Sequence, residues 1–453
     1  GANRVPRRIP ARSSYDVSGH HRSEPGLAMK LSRRYDLSTD MPVAVLAGGQ
    51  GERLWPLTRD RSKPAVPFGG IFRIIDFTLS NCLNSGLRMI FVLTQYKSNS
   101  LERHIQLGWD TLFSAELREW IYTVPPQLGA GQRWYEGTAD AVLQNLDLIG
   151  RERPRRVLVV SGDHIYKMDY RRLLEYHERT ESVATVAAIE IPIEQAHQFG
   201  NLVVDEDYRI RSFLEKPADP PGIPGDPGHG LVNMGVYVFE FETLVSALGD
   251  DAGRIDSKHD FGHDIIPTLA SQDRVHAYPF VDENRKSTRY WRDIGTIDAY
   301  YEASMDLVAV NPVFNLYDNE WPIRTRAHQL PPAKLVFAQE GPGGRLGVAM
   351  DSLVCGGAIL SGGRVERSIV SPYVRVNSFA HVEDSVLMAG VDVGRGAVVR
   401  RAIVDKGARI EPGCVIGEDP EADRARFEVT PSGVVVIPRG AVVRPQAVSA
   451  PTA

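Results

Sequence analysis

Cysteine is scarce: Cys82, Cys355 and Cys414 are the three in 453 residues, far apart and without metal-ligand spacing. That excludes a disulfide framework or a zinc knuckle and leaves reduced, mostly buried thiols, as in a cytoplasmic protein. No apolar run approaches the ~20 residues that span a bilayer, so no membrane partner is expected. Positive charge is not in excess. With 52 Lys and Arg against 57 Asp and Glu, and a formal charge of −5, nothing electrostatic points to a nucleic-acid partner. The first 28 residues lack the apolar core of a secretory signal. They carry Arg4, Arg7, Arg8, Arg12 and Arg22 but also Asp16 and Glu24. Without an amphipathic pattern they read as a disordered extension or an expression remnant rather than a transit peptide. A glycine-rich stretch further on has no Gly-Lys-Ser/Thr at the required spacing, which rules out a Walker loop.

What is present begins at Val43–Asp76. The apolar run Val43–Leu46 reads as a buried strand, followed by Gly48, Gly49 and Gly51, then Arg53 and, ten residues on, Lys63. Glycines let backbone N–H groups approach phosphate oxygens, and spaced cations neutralise them, so the layout suits a polyphosphate. Taken alone, such a loop is as consistent with a plain turn.

The chain then alternates strand-like and helix-like runs, Ile74–Leu83 with a helical pattern and Met89–Thr94 with a strand-like one. This rhythm implies a mainly parallel sheet with ligands at the carboxyl ends of its strands. Gln95, at one such end, either bonds a base edge or merely terminates a strand. Thr138 is placed to cap a helix, and Gly137 before it leaves room for a flat ring. Trp134 and Tyr135 read by composition as core. The strand Val157–Val160 runs into Asp163, which either holds a divalent cation near phosphates or caps the next element. His164 beside it is expected to be structural. In Glu215-Lys216-Pro217 the proline should hold Lys216 extended, sending the two charged side chains to opposite sides.

Beyond a proline-containing stretch the pattern changes. Aliphatic residues recur every six positions, at Val370, Val376 and Val382, at Val393 and Val399, and at Val404, Ile410 and Ile416. This is the mark of a parallel β-helix, with register slips near 387 and 404. Such coils occur in acyltransferases, but only His381 lies among these, and it makes no convincing catalytic centre.

Taken together, LAGGQGERLWPLT, KPAVPFGG and FRIIDF resemble the pyrophosphorylase signature of the sugar nucleotidyltransferases, in particular the bacterial branch that forms ADP-glucose from ATP and α-D-glucose 1-phosphate. The resemblance continues through most of the chain after Met29. It implies an α/β fold: a Rossmann-like nucleotidyltransferase domain with a mostly parallel mixed sheet, then a left-handed parallel β-helix domain. The expected organisation is 29–310 catalytic, 311–345 linker, and 346–453 β-helix for oligomerisation and regulation.

Site roles follow from the same resemblance. Gly48, Gly49, Gly51, Gln95, Tyr135 and Gly137 would bind the nucleotide, with Trp134 flanking it. Asp163 and Asp293 would hold Mg²⁺. Arg53 and Lys63 would stabilise the departing pyrophosphate. Lys216 would take the sugar phosphate and Glu215 sugar hydroxyls, with Gly200, Asn233, Asp260 and Trp291 also at the sugar. Asn233 stands where many relatives carry serine, which leaves sugar preference open. Arg61, Arg73 and Arg151 match basic positions for small phosphorylated effectors, and the resemblance implies a homotetramer. The alternatives are another nucleotide or hexosamine substrate, or a non-catalytic regulatory subunit. Against the last stands the full set Arg53, Lys63, Asp163, Lys216 and Asp293.

Overall fold

The computed structural model describes residues 41–126, 134–272, 274–286, 288–339 and 341–445. The extension expected at 1–28 lies outside them.

Near-continuous aliphatic runs make strands buried on both faces. Val43–Ala47 takes the centre, paired in parallel with Met89–Thr94 on one side and Arg156–Ser161 on the other; Trp120–Val124 extends the parallel set. Beyond Arg156–Ser161 the long strand His229–Glu240 runs antiparallel. It also pairs with Ala184–Pro192 and touches Gly200–Val204, which pairs with Ile210–Glu215. Val275–Pro279 lies parallel to Ala184–Pro192 and completes a nine-stranded mixed sheet. Alternate residues feed two apolar layers. Val43, Val45, Ile90, Val92, Leu158 and Val160 pack on one face, and Ala44, Phe91, Leu93, Val157 and Val159 on the other. Helices including Ile74–Asn84, Tyr170–Arg179 and Phe241–Ala252 surround the sheet.

The carboxy-terminal part is a left-handed parallel β-helix of three sheets, with strands such as Arg364–Glu366, Ile369–Val370 and Arg375–Val376 each on a different face. Arg364 pairs with His381 and His381 with Val398, 17 residues apart each time. A coil is therefore two six-residue steps and one of five. That is the origin of the slips near 387 and 404, which fall once per coil on the same face. The first strand of the coil, Lys334–Val336, pairs with Ile359–Ser361, so stacking begins inside the stretch 311–345. A short helix, Pro420–Arg424, interrupts the last coil, and Val435–Ile437 rejoins the stack on Ala402–Val404.

One face of the coil is apolar on both sides. Val370, Leu387, Val404 and Ile437 point into the coil. Ile369, Val386, Ile403 and Val436 point outward into a cluster with Phe68, Phe77, Ile297, Tyr300 and Tyr301 of the preceding half. Tyr301 also donates from its hydroxyl to the Asp384 carbonyl at 2.8 Å. The β-helix is thus docked on the catalytic half through a shared core, chiefly along the helix Ile297–Asp306.

Candidate active site

The parallel register aligns the carboxyl ends of three strands. Ala47 lies opposite Thr94, and Leu46 opposite Ser161. The next residues, Gly48, Gln95 and the Gly162-Asp163 turn, therefore share one edge of the sheet. Gly48 lies against Gln95, where an added Cβ would stand 3.2 Å from that of Gln95, and Gln95 Nε2 donates to the Tyr135 carbonyl at 3.3 Å. Nothing lies within 4 Å of a Cβ built on Gly49, so the loop faces open space there. Gly51 has φ 67°, in the left-handed region, and a Cβ on it would press Lys63 and Thr58 at 3.0 Å. This glycine lets the loop close over Lys63.

Asp163 does not cap a helix. It precedes a short strand, His164–Tyr166, which pairs antiparallel with Trp291–Asp293 in a register that sets Asp293 opposite His164. Two carboxylates 130 residues apart in sequence thereby meet. Lys63 Nζ bridges them, 2.7 Å from Asp163 Oδ2 and 3.0 Å from Asp293 Oδ1. Ser161 Oγ donates to Asp163 Oδ1. Burial alone would raise the Asp163 carboxyl, but Lys63, His164 and Ser161 outweigh it and hold the acid well below the usual carboxylate range. Burial would likewise lower the Lys63 ammonium, and the two carboxylates instead raise it. Arg53 is exposed and lies by Gly295, whose missing Cβ leaves space between Arg53 Nη2 and Asp293 Oδ2.

Ligand atoms of Asp163, His164 and Asp293 all lie within 4.8 Å of one another. Oxygen and nitrogen donors in a partly buried setting, already gathered around an ammonium, fit a divalent cation. His164 was not among the residues expected here. Its Nε2 is 3.5 Å from Asp163 and 3.7 Å from Asp293, so it faces the charged centre rather than only filling the core.

The other candidates fall into place unevenly. Lys216 is not extended: its φ is 45°. As a result Lys216 Nζ comes within 3.6 Å of Glu215 Oε1, on the same side, and both side chains are about half exposed. Gly200 gives its space to the Phe213 ring and Glu215. Asn233 lies inside the strand His229–Glu240, at a bulge, donating to the Tyr237 hydroxyl at 2.8 Å and accepting from Gly235 N. Trp291 is buried, edge-on to His164 at 5.0 Å and to Phe199 at 5.5 Å.

The expectations at Gly137 and Thr138 need correction. The space left by Gly137 is filled by main chain, since a Cβ there would overlap the carbonyl oxygens of Lys258 and His259. Thr138 Oγ1 does not cap its helix. It donates to Asp260 Oδ2 at 2.8 Å, and Asp260 Oδ1 accepts from Gly262 N and His263 N. The two segments are clamped together. Tyr135 is in the core, its hydroxyl accepting from Asn145 Nδ2 at 2.9 Å. Its exposed neighbour Trp134 stacks on Tyr96 at 5.5 Å.

Of the three arginines expected at an effector site, Arg61 and Arg73 lie near enough to act on each other, while Arg151 lies on a different segment. Arg61 is buried, both Asp405 oxygens accepting from its Nη2 at 2.8 Å. Arg73 donates from Nη1 to the Ser100 carbonyl at 2.6 Å, and burial pushes it down to about 10. Arg151 sits in the turn before Arg156–Ser161, at the end of that strand opposite Asp163. Missing from expectation was Lys406, beside Arg73 and Arg61, which burial and these cations push down to about 8.

Residues 43–309 match the family model described as nucleotidyl transferase, and residues 331–437 match the GlmU-like C-terminal hexapeptide model. The chain belongs to the nucleotidyl transferase family, and within it to the glucose-1-phosphate adenylyltransferases. Proteins of that name from Rhodopirellula baltica (53% identical over 88% of this chain and 90% of that one), Koribacter versatilis (50%, 87% and 94%) and Methylococcus capsulatus (50%, 90% and 96%) are among its relatives. No helix of the described residues is long and apolar enough to cross a membrane.

Proposed function

We propose that the chain transfers the adenylyl group of ATP to α-D-glucose 1-phosphate, giving ADP-glucose and pyrophosphate for α-glucan synthesis in the cytoplasm. The observation that carries this reading is Lys63 bridging Asp163 and Asp293 beside the open glycine loop. A phosphate oxygen of the sugar attacks the α-phosphorus, and pyrophosphate leaves in line. The nucleophile is already ionised at neutral pH, so no general base is needed. Both reactants are anions, and the protein's work is to suppress repulsion and align them. Gly48, Gly49 and Gly51 present backbone to the triphosphate. Lys63 and Arg53 neutralise the leaving pyrophosphate. Lys216, free to swing from Glu215, takes the sugar phosphate and Glu215 sugar hydroxyls, with Gly200, Asn233, Asp260 and Trp291 beside the sugar. Asp163 and Asp293 would hold Mg²⁺, which when bound draws charge from phosphate oxygens.

Regulation and assembly extend the proposal. Arg61 and Arg73 act on each other and, with Arg439, on Lys406 where the two halves meet, against the carboxylates of Asp405 and Asp76. Such an excess of cation suits a small phosphorylated metabolite or nucleotide. A homotetramer with contacts through the β-helix completes the reading, and sedimentation tests it.

The direct test is pyrophosphate release with Mg²⁺, crossing four nucleoside triphosphates with glucose, glucosamine and mannose 1-phosphates. Dominant turnover with ATP and glucose 1-phosphate is expected. Preference for another pair would overturn the substrate assignment, and no turnover with any pair would point to a regulatory subunit.

A further inference from the structure

We propose that His164 is a third donor, through Nε2, to the divalent cation of this site, and that it favours a borderline ion such as Co²⁺ or Zn²⁺. This rests on the cation reading of Asp163 and Asp293 given above.

The imidazole is oriented for the task. Its Nδ1 is 3.1 Å from the Met234 carbonyl oxygen. A carbonyl only accepts, so Nδ1 donates its proton there and Nε2 is the nitrogen turned toward the site. An N–H held by a backbone carbonyl is the usual support of a metal-bound histidine. Nε2 points at Asp163 Oδ1 and Asp293 Oδ1, 3.5 and 3.7 Å away. Adjacent donors around an ion at about 2.1 Å lie about 3 Å apart, so both carboxylates must draw closer to Nε2 when an ion is held.

The surroundings hold the ring there. Trp291 packs edge-on at 5.0 Å from the neighbouring strand. Gly235, at φ 69°, gives up the space a Cβ would take 3.4 Å from His164 Cε1. A histidine serving only to fill the core would need no nitrogen turned toward two carboxylates. Lys63 meets Asp163 at Oδ2, away from the oxygen nearer the histidine, although Ser161 Oγ donates to that Oδ1 and Lys63 also holds Asp293 Oδ1.

Imidazole adds a nitrogen to an oxygen set, and nitrogen raises affinity for later first-row ions far more than for Mg²⁺. His164→Gln should weaken Co²⁺ or Zn²⁺ binding by about 10-fold or more while changing Mg²⁺ binding only about 2-fold, by analogy with the effect of altering a ligand's support.

The test is pulsed EPR of the full chain loaded with Mn²⁺, with ATP and without sugar phosphate, beside Asp163→Asn and His164→Gln. A ¹⁴N coupling from imidazole in the native chain, lost in His164→Gln, is the expected result. Bound Mn²⁺ that Asp163→Asn abolishes, but with no ¹⁴N coupling in the native chain, would overturn His164 as a ligand and leave the carboxylate site standing. No Mn²⁺ bound at all would remove the cation site and this inference with it. The native spectrum decides the matter even if a variant fails to fold.

Discussion

Arg61 and Asp405 form a two-pronged ion pair at 2.8 Å with side chains 4% and 1% exposed, one from the loop two residues before Lys63 and the other from the β-helix. A coil residue thus anchors the segment that carries the bridging lysine.

Asp405→Asn leaves the Arg61 charge buried without its counter-ion. A loss of about 3–5 kcal/mol is expected, as for removing one member of a buried pair. Arg61→Met with Asp405→Leu should recover most of it. Denaturant melts of the two singles and the double check this, and a single-variant loss under about 1 kcal/mol would contradict a strongly coupled pair.

Asp163→Ala should lower kcat by roughly 10²–10⁴-fold, the scale of lost charge stabilisation at a reacting phosphate. Lys216→Ala should mainly raise KM for glucose 1-phosphate, because Lys216 is exposed beside Glu215 and is not part of the Lys63 bridge. Steady-state kinetics separate the two. Small and equal effects on both parameters would remove both roles.

Glycine substitutions at two positions should part company. Gly137→Ala meets two carbonyl oxygens, and their segment is tied by Ala139 N to the His259 carbonyl at 2.8 Å. A loss of roughly 1–3 kcal/mol is expected from overpacking. Gly49→Ala meets nothing, so its melting temperature should stay put while KM for ATP rises. Calorimetry with ATP titration reads both.

His177 is buried between Thr185 Oγ1 and Glu240, and burial together with Arg156 pushes it down to about 4. The unfolded chain takes up this proton near pH 6.5 and the folded chain does not. Stability is therefore full above pH 6.5 and falls as pH drops toward 4, by up to roughly 3 kcal/mol from this group. His177→Gln should flatten that part of the profile in melts between pH 7 and 4.

Much of this architecture is legible in the residues. Met89–Thr94 and Val43–Ala47 show as apolar runs because parallel strands are buried on both faces. The coil shows through its hexads, and the five-residue step appears as slips once per turn. Less visible is what depends on contact between distant segments. Nothing local to Gly137 says that its space goes to Lys258 and His259, or that Arg61 is claimed by Asp405. The positive φ of Lys216 goes against the usual effect of a following proline, and only the folded loop shows it. One signal was present and easily passed over. Ile369, Val386, Ile403 and Val436 precede or interrupt the inward positions with further aliphatics, whereas Arg375, Asp392 and Arg409 do so on another face. A face that is aliphatic twice over must be covered.

That covered face makes the two halves a single inheritance. Exchange of this coil for one from a distant relative would carry along four foreign outward side chains against Phe77 and Tyr301. Functional chimaeras should therefore join within the coil, or replace the helix Ile297–Asp306 together with it, rather than splice at the sequence between the halves.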